Sequence, residues 1–387
     1  MNSPNLEKVY LPRAIENDIK QELFKQQVIA LYGSRQVGKT TLVQQILKNF
    51  PDKKLYINCD EGDYRRLLNE ADTSGQLKQI IGDSRLVVLD EAQRIKNIGL
   101  KLKLLIDTFP NQQIIATGSS SFDLGQEIKE PLTGRMMEFW LYPFSVPELL
   151  KNFSPVEINR QLEGLLIFGS YPKVIKTVSW EDKKICLQKI AQNYLYKDIL
   201  KFEKIKGSEK IQKLLEALAL QLGNEVAYTE LAGLVGISKE TVVRYLEILE
   251  KAFIIFKLRP FSRNLRKELA KLHKIYFWDT GIRNSLINNF NQLSLRNDKG
   301  ALWENFVIVE KAKQQNNIAK KMPLYFWRTY DQQEIDLIVD QEGKLSAYEI
   351  KWQKKRLSPP KAWQKGYPQA SWQIIHSKNY LESIPAF

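Results

Sequence analysis

"VIALYGSRQVGKTTLVQQIL", Val28 to Leu47, decides the first domain. A short apolar run, Val28 to Tyr32, leads into Gly33-Ser34-Arg35-Gln36-Val37-Gly38-Lys39-Thr40-Thr41, and a helical pattern follows. This is G-x-x-x-x-G-K-[ST] in the strand–loop–helix setting that its mechanism requires. Glycines at 33 and 38 let the backbone turn tightly and aim N–H groups at phosphate oxygens. The helix that begins near Lys39 adds its positive dipole end. The loop residues are thus expected to hold ATP, with Lys39 on the β- and γ-phosphates and Thr40 on Mg2+.

Two further apolar runs fit beside it. "SRLVVLDEAQRI" ends a buried-strand pattern at Asp90-Glu91. Asp90 would hold Mg2+ through its water shell, and Glu91 would orient or deprotonate the attacking water. "QQIIATGSSS" ends in small polar residues, placing Thr117 or Ser119 where a strand stops and the γ-phosphate can be sensed. These runs predict a doubly wound parallel sheet with its ligand at the carboxyl ends of the strands. In "LTGRMMEFWLYPFS", Arg135 is a candidate arginine finger, acting in its own subunit or across a homo-oligomer, or else an ordinary structural arginine. Val146 to Gln221 reads as mostly helical, suited to an ATPase lid and connector.

"AYTELAGLVGISKETVVRYLEILEKAFIIFKL" reads as helix, tight turn, helix, strand, with Gly236 at the turn and Ser238 as a cap. Val242, Leu246, Leu249 and Phe253 lie at helical spacing and should face a core, which leaves Lys239, Thr241, Arg244 and Tyr245 outward. Lys251 to Lys274 holds eight Lys or Arg against one acid, Glu268. A winged helix whose hairpin tracks DNA phosphates would have this pattern; a rigid spacer or protein-docking module is the alternative.

"EIDLIVDQEGKLSAYEIKW", Glu334 to Trp352, reads as a hairpin. Alternation puts Glu334, Asp336, Ile338 and Asp340 on one face, with Ile335, Leu337 and Val339 on the other. A two-residue turn at Glu342-Gly343 would set Asp336 opposite Glu349. Facing carboxylates repel, and a divalent cation between them offsets the cost. Lys351 on the same face completes a set suited to metal-assisted phosphodiester hydrolysis, and Glu304 in "ALWENFVIVEKA" offers a third carboxylate from a preceding helix. The same register also pairs Lys351 with Glu334 as an ordinary ion pair, leaving Asp336 merely solvated.

Composition agrees with a soluble protein of several domains: 387 residues, 43% hydrophobic, 26% charged. The net charge of +14 favours polyanions. No apolar stretch of signal-peptide or membrane-spanning type is read, so a cytoplasmic protein without membrane attachment is expected. Two cysteines and two histidines argue against a disulfide framework or a zinc site.

Taken together, "LYGSRQVGKTTL", "VVLDEAQRI", "ATGSSSFDL", "LTGRMMEF", "YLYKDIL", "GISKETVVRYLEILEKAFII", "KIYFWDTGIRNSL", "ALWENFVIVE" and "EIDLIVD…YEIKW" resemble a prokaryotic family of AAA-like P-loop ATPases. The resemblance covers nearly the whole chain. It implies an ATPase core (1–145), a helical lid and connector (146–221), a winged helix (222–283) and a C-terminal α/β domain similar to PD-(D/E)xK restriction-type nucleases (284–387). On it Glu304, Asp336, Glu349 and Lys351 fall on the nuclease-like positions, although Glu334-Ile335 stands where such domains often carry proline before the aspartate. From residues and resemblance together, the expected function is ATP hydrolysis with DNA binding, and a C-terminal domain able to bind Mg2+ and capable of cutting DNA; the alternative is a nucleotide-dependent switch with a non-catalytic C-terminal docking domain.

Overall fold

The computed structural model describes residues 9–119, 125, 128–192, 208–262, 272–316 and 322–384. The chain forms two compact units. One comprises Pro12–Tyr142 with Lys251–Phe253; the other comprises Met1–Leu11, Pro143–Glu250 and Ile254–Phe387.

The first unit is a mixed α/β fold on a five-stranded parallel sheet. Its strands are β1 (Val28–Gly33), β2 (Lys54–Asn58), β3 (Leu86–Asp90), β4 (Gln113–Gly118) and β5 (Met136–Leu141), in the order β2-β3-β4-β1-β5. β1, β3 and β4 are buried along their whole length, as their near-continuous apolar runs require. The helix Lys39–Lys48 lays Leu42, Val43, Ile46 and Leu47 against Ile29 and Leu31 of β1. Because every strand points the same way, Gly33, Asp90 and Gly118 end at one edge.

The second unit begins with the helices Val146–Leu150, Pro155–Phe168, Pro172–Lys176 and Trp180–Ile190, followed by Ser208–Leu220. The helices Tyr228–Val235 and Lys239–Lys251 are joined through Gly236, whose φ of 68° is left-handed, and the Ser238 hydroxyl accepts the Thr241 N–H at 3.2 Å. Val242, Leu246 and Leu249 are buried, and so is Tyr245 at 6% exposure. Tyr245 is therefore not an outward-facing residue; the apolar stripe is wider than the strict helical spacing suggests.

Seven strands follow in one sheet. They are β6 (Glu225–Val226), β7 (Ile255–Pro260), β8 (His273–Phe277), β9 (Leu324–Arg328), β10 (Glu334–Gln341), β11 (Lys344–Ile350) and β12 (Ser371–Ile375), ordered β12-β11-β10-β9-β7-β8-β6. β7 pairs with β9 at Arg259↔Tyr325 and Pro260↔Phe326. The hairpin beside the helix pair and the C-terminal strands thus share one sheet, and the expected boundaries at 222 and 284 do not divide this unit. Much of the basic run 251–274, at 263–271, lies outside the described residues, as does "YLYKDIL".

The β10–β11 hairpin has the expected register: Gln341 faces Lys344 and Leu337 faces Tyr348 across Glu342-Gly343, both with positive φ. Strict alternation fails on the other side. A bulge against β9 between Ile335 and Ile338 shifts the parity, so both isoleucines enter one cluster with Trp327, Ala347 and Trp363.

The segment Trp278–Asn284 closes the helix Pro155–Phe168. That helix ends with free carbonyls. Thr280 donates to Leu165 O at 3.0 Å, and Asn284 donates to Leu166 O and Ile167 O at 3.1 and 2.8 Å. Asp279 accepts from Ser170 N–H at 2.8 Å and caps the next helix through Ile282 N–H at 3.1 Å. Neither nearby glycine has room for a side chain. A Cβ on Gly169, where φ is +69°, would lie 2.0 Å from Asp279 Oδ1, and one on Gly281 would lie 2.1 Å from Phe168 O. Gly281→Ala is expected to lower unfolding free energy by about 2–4 kcal/mol in chemical denaturation. Gly164→Ala, with open space around it inside the helix, should be neutral or stabilising by up to about 1 kcal/mol.

Candidate nucleotide edge and carboxylate centre

The loop 33–40 spans from the end of β1 to the helix Lys39–Lys48. Gly38 stands before that helix with φ 102°, as a glycine turn needs, and Gln36 is also left-handed at 62°. Gly33 serves differently from expectation. Its φ is not positive; a Cβ there would lie 2.3 Å from Leu141 O on β5, so close strand packing excludes a side chain. Arg13, absent from the sequence reading, braces the loop by donating to Val37 O at 3.0 Å and to Tyr142 O. Lys39 is buried, with Nζ on Gly33 O at 2.9 Å and Ser34 O at 3.2 Å.

Asp90 ends β3 at 3% exposure. Its Oδ2 accepts from Thr40 Oγ1 and from Tyr56 OH, each at 2.7 Å, and its Oδ1 accepts from Thr117 Oγ1. Thr117 Oγ1 also accepts the Glu91 N–H at 3.1 Å. Glu91 has φ 56° and ψ 43°, a left-handed conformation that costs a non-glycine residue about 1 kcal/mol or more. Its Oε2 accepts from Gln93 Nε2 at 2.6 Å, and the same amide reaches Ser119 Oγ at 3.3 Å. Cys59, buried beside Asp90, has its thiol pushed up to about 12 by burial and by that carboxylate. Tyr56 and Arg13 carry no motif signal, and only the folded sheet brings them here; Gln93 lies in the Asp90-Glu91 stretch, where nothing in sequence assigns it a role. Ser34 and Val37 are buried, Arg35 is half-buried, and Gln36 and Thr41 are exposed.

Arg135 is not at this edge. β5 runs parallel to β1 with Met136 beside Val28, and Val28 N–H donates to Arg135 O at 2.9 Å. Arg135 therefore lies at the opposite end of β1, about 17 Å away at roughly 3.3 Å per residue. Its Nε pairs with Asp107 Oδ1 at 2.9 Å. A finger acting on its own subunit's phosphate is excluded by that placement.

The second constellation lies in the seven-stranded sheet and the helix Lys299–Asn316. Asp336, 6% exposed, accepts from Ile350 N–H at 2.7 Å and from Lys351 Nζ at 3.1 Å, both through Oδ2. Lys351 also pairs with Glu349 Oε1 at 2.7 Å. The expected Lys351–Glu334 pair does not form, because Glu334 is taken by Lys274 at 2.5 Å and by Arg328 at 3.8 Å. Lys274 also reaches Glu304 Oε1 at 3.3 Å, and Tyr276 OH donates to the same oxygen at 2.6 Å. Lys274, counted in sequence among phosphate-tracking cations, is 3% exposed and paired inside the protein.

Burial pushes the Glu304 carboxyl up to about 7; Lys274 opposes this and Asp336 adds to it. Burial and Asp336 likewise raise Glu349. For Lys351, burial works against the charge, but Asp336 and Glu349 outweigh it and hold the ammonium above its usual value. Among the described residues, no three His, Cys, Asp or Glu side chains are grouped to hold a metal ion. Glu304, Asp336 and Glu349 face ammonium groups instead, so this arrangement does not fit a divalent cation.

A carboxyl raised from 4.5 to about 7 binds its proton more tightly in the folded state. The stability gained is complete below about pH 4.5 and is lost as pH rises through about 7, by roughly 3 kcal/mol at most. Denaturation midpoints measured across that range should fall for the wild type, and Glu304→Gln should flatten the slope.

Residues 25–150 match the AAA domain family, residues 159–293 a domain of unknown function (DUF8612), and residues 299–376 another (DUF4143). An uncharacterized protein of Mycobacterium tuberculosis is 28% identical over 337 residues, which cover 86% of this chain and 72% of that protein. An uncharacterized protein of Methanocaldococcus jannaschii is 30% identical over 327 residues, 79% of this chain and 71% of the relative. Among solved structures, the crystal structure of domain III from the Thermotoga maritima replication initiation protein DnaA aligns at 12% identity with a TM-score of 0.28, covering 63% of this chain and 97% of that one. That likeness is too slight to carry an inference. No described helix is long and apolar enough to cross a membrane. With an AAA domain over residues 25–150 and that degree of identity across most of both chains, this protein belongs to the same family as the Methanocaldococcus jannaschii protein.

Proposed function

We propose that this protein binds ATP with Mg2+ at the carboxyl edge of β1, β3 and β4, hydrolyses it, and binds DNA through the helix pair and hairpin of residues 222–283. The observation that carries the first part is the Thr40–Asp90 hydrogen bond of 2.7 Å, which joins the loop to the end of β3. Mg2+ in a nucleotide site takes most of its ligands from phosphate and water, so one hydroxyl and one carboxylate suffice to hold it. When bound it would neutralise charge on the β- and γ-phosphates. The N–H groups from Ser34 to Thr41 would cradle those phosphates. Lys39 would exchange its loop carbonyls for phosphate oxygens, and Glu91 would orient water, with Ser119 and Gln93 fixing its carboxylate.

Steady-state turnover tests the assignment. Lys39→Ala and Asp90→Asn should abolish ATP hydrolysis. Glu91→Gln should lower turnover about 100-fold or more while nucleotide affinity changes little. Wild-type turnover in Glu91→Gln would contradict it.

DNA binding is supported by the exposed Lys239 and Arg244 on the second helix of the pair and by the net charge of +14. Log affinity should fall with log salt by roughly 0.9 per phosphate neutralised, and Lys239→Glu with Arg244→Glu should reduce that slope. A salt-independent affinity would exclude this surface.

DNA cleavage by the carboxylate centre is a second reading. It is favoured by Lys351, whose Nζ lies 3.1 Å from Asp336 Oδ2 and 2.7 Å from Glu349 Oε1, and it requires these ammonium contacts to give way before a divalent cation could enter. The element order from Lys299 onward, helix, three strands, helix, strand, suits it. Cutting of linear DNA with Mg2+ that persists in Asp336→Asn would remove it and leave a nucleotide-dependent switch with a docking domain.

A further inference from the structure

We propose that a basic cleft of the second unit, walled by Arg160, Lys299, Trp352 and Lys378, binds a segment of single-stranded nucleic acid. The cleft shares no residue with the helix pair and hairpin of 222–283, so neither DNA surface depends on the other.

The cleft has a volume of about 660 Å3. That suits a short stretch of one flexible strand rather than the wide, stiff cylinder of a duplex. Separate chain segments are fastened together to make its walls. Glu163 Oε1 accepts the Leu293 N–H at 2.9 Å, which fixes the stretch before Lys299 against the helix Pro155–Phe168 that carries Arg160. Ser377 Oγ donates to Trp352 O at 2.9 Å, which brings the following Lys378 to the same cleft. Trp303 packs edge-on against Trp352 with ring centroids 5.4 Å apart, tying that indole to the helix Lys299–Asn316.

Positive charge is left unanswered there. Among the described residues, none of Arg160, Lys299 and Lys378 forms an ion pair. The acids nearest to them in sequence are occupied elsewhere. Glu157, one turn before Arg160, accepts the Ser154 N–H and hydroxyl at 2.7 and 2.8 Å, and Asp298 is held by Arg283 and Arg296. Lys299 Nζ lies 4.9 Å from the Trp352 ring centroid, so it rests on an aromatic face instead of a carboxylate. Lys354, Lys355 and Arg356 follow Trp352, all exposed, and continue the positive charge along the chain. Unpaired cations beside a half-buried indole are the chemistry of a strand-binding groove: the cations track phosphates while the ring meets bases of any sequence. A phosphate answered by Lys299 would leave its base beside Trp352. An acidic peptide would use the cations and have no need of the indole.

Fluorescence anisotropy of the full chain with a labelled oligothymidine of about 12 nucleotides, without ATP, tests this. Arg160→Glu with Lys378→Glu, both at exposed positions, should weaken binding about tenfold or more. It should also make log affinity less steep in log salt, where a single strand loses roughly 0.7 per phosphate neutralised. Trp352→Leu should weaken binding about fivefold or more. Where that variant folds poorly, the exposed double variant decides alone. Lys239→Glu with Arg244→Glu changes the net charge by the same amount and should cost less. An equal or larger loss in that matched pair would overturn the cleft and leave the helix pair as the DNA surface. A duplex of equal length that binds more tightly, and is lost in Arg160→Glu with Lys378→Glu, would overturn the assignment to a single strand. Polyglutamate of matched charge that displaces the strand equally well would make the cleft a protein-docking surface and overturn it too. No nucleic acid bound by wild type would overturn both this cleft and the DNA reading above.

Discussion

Asp90 ties the nucleotide edge together. It is buried, and both of its oxygens are occupied by hydroxyls from other elements: Thr40 from the loop, Tyr56 from β2 and Thr117 from β4. A buried carboxylate without such donors would be costly. With them, the end of β3 is held in register with the phosphate loop although β4 lies between their strands. Glu91 follows directly, forced into a left-handed backbone that its N–H bond to Thr117 supports. In the proposed function, that backbone would aim the Glu91 side chain.

The second unit is organised by a different constraint, the satisfaction of buried polar groups across long sequence distances. Thr280 and Asn284 donate to carbonyls in the last turn of Pro155–Phe168, more than a hundred residues earlier. Arg283 and Arg296 share Asp298, and Lys313 bonds Glu310 and Phe144 O. The carboxylate centre belongs to the same pattern. Each of its acids is answered by a lysine or a backbone N–H, so it resembles a closed ion-pair network as much as an open site. Such networks are costly to break from one side, because the remaining charge stays buried.

The sequence carried much of this in local form. The phosphate loop was legible because its chemistry depends on contiguous residues, and the β10–β11 register was legible because a two-residue turn sets every pair behind it. The bulge at Ile335–Ile338 was not, since nothing in an alternating run marks the extra residue. Arg135 looked like a finger because its position along the chain suited one; only the parallel pairing of β5 with β1 shows that it sits at the far edge. Lys274 looked like a surface cation because its neighbours in sequence are basic, while the acids it meets are thirty and sixty residues away. Gly169 and Gly281 carry no turn signature that would reveal how closely Asp279 and Phe168 approach them.

The AAA domain over residues 25–150 makes nucleotide binding the claim on which the proposed function first depends. The most direct measurement is an equilibrium titration of the purified chain with a slowly hydrolysed ATP analogue, with and without Mg2+. Saturable one-to-one binding that tightens with Mg2+ and vanishes in Lys39→Ala is the expected result. Binding that is absent, or indifferent to both Mg2+ and Lys39, would contradict a phosphate-gripping loop tied to Asp90.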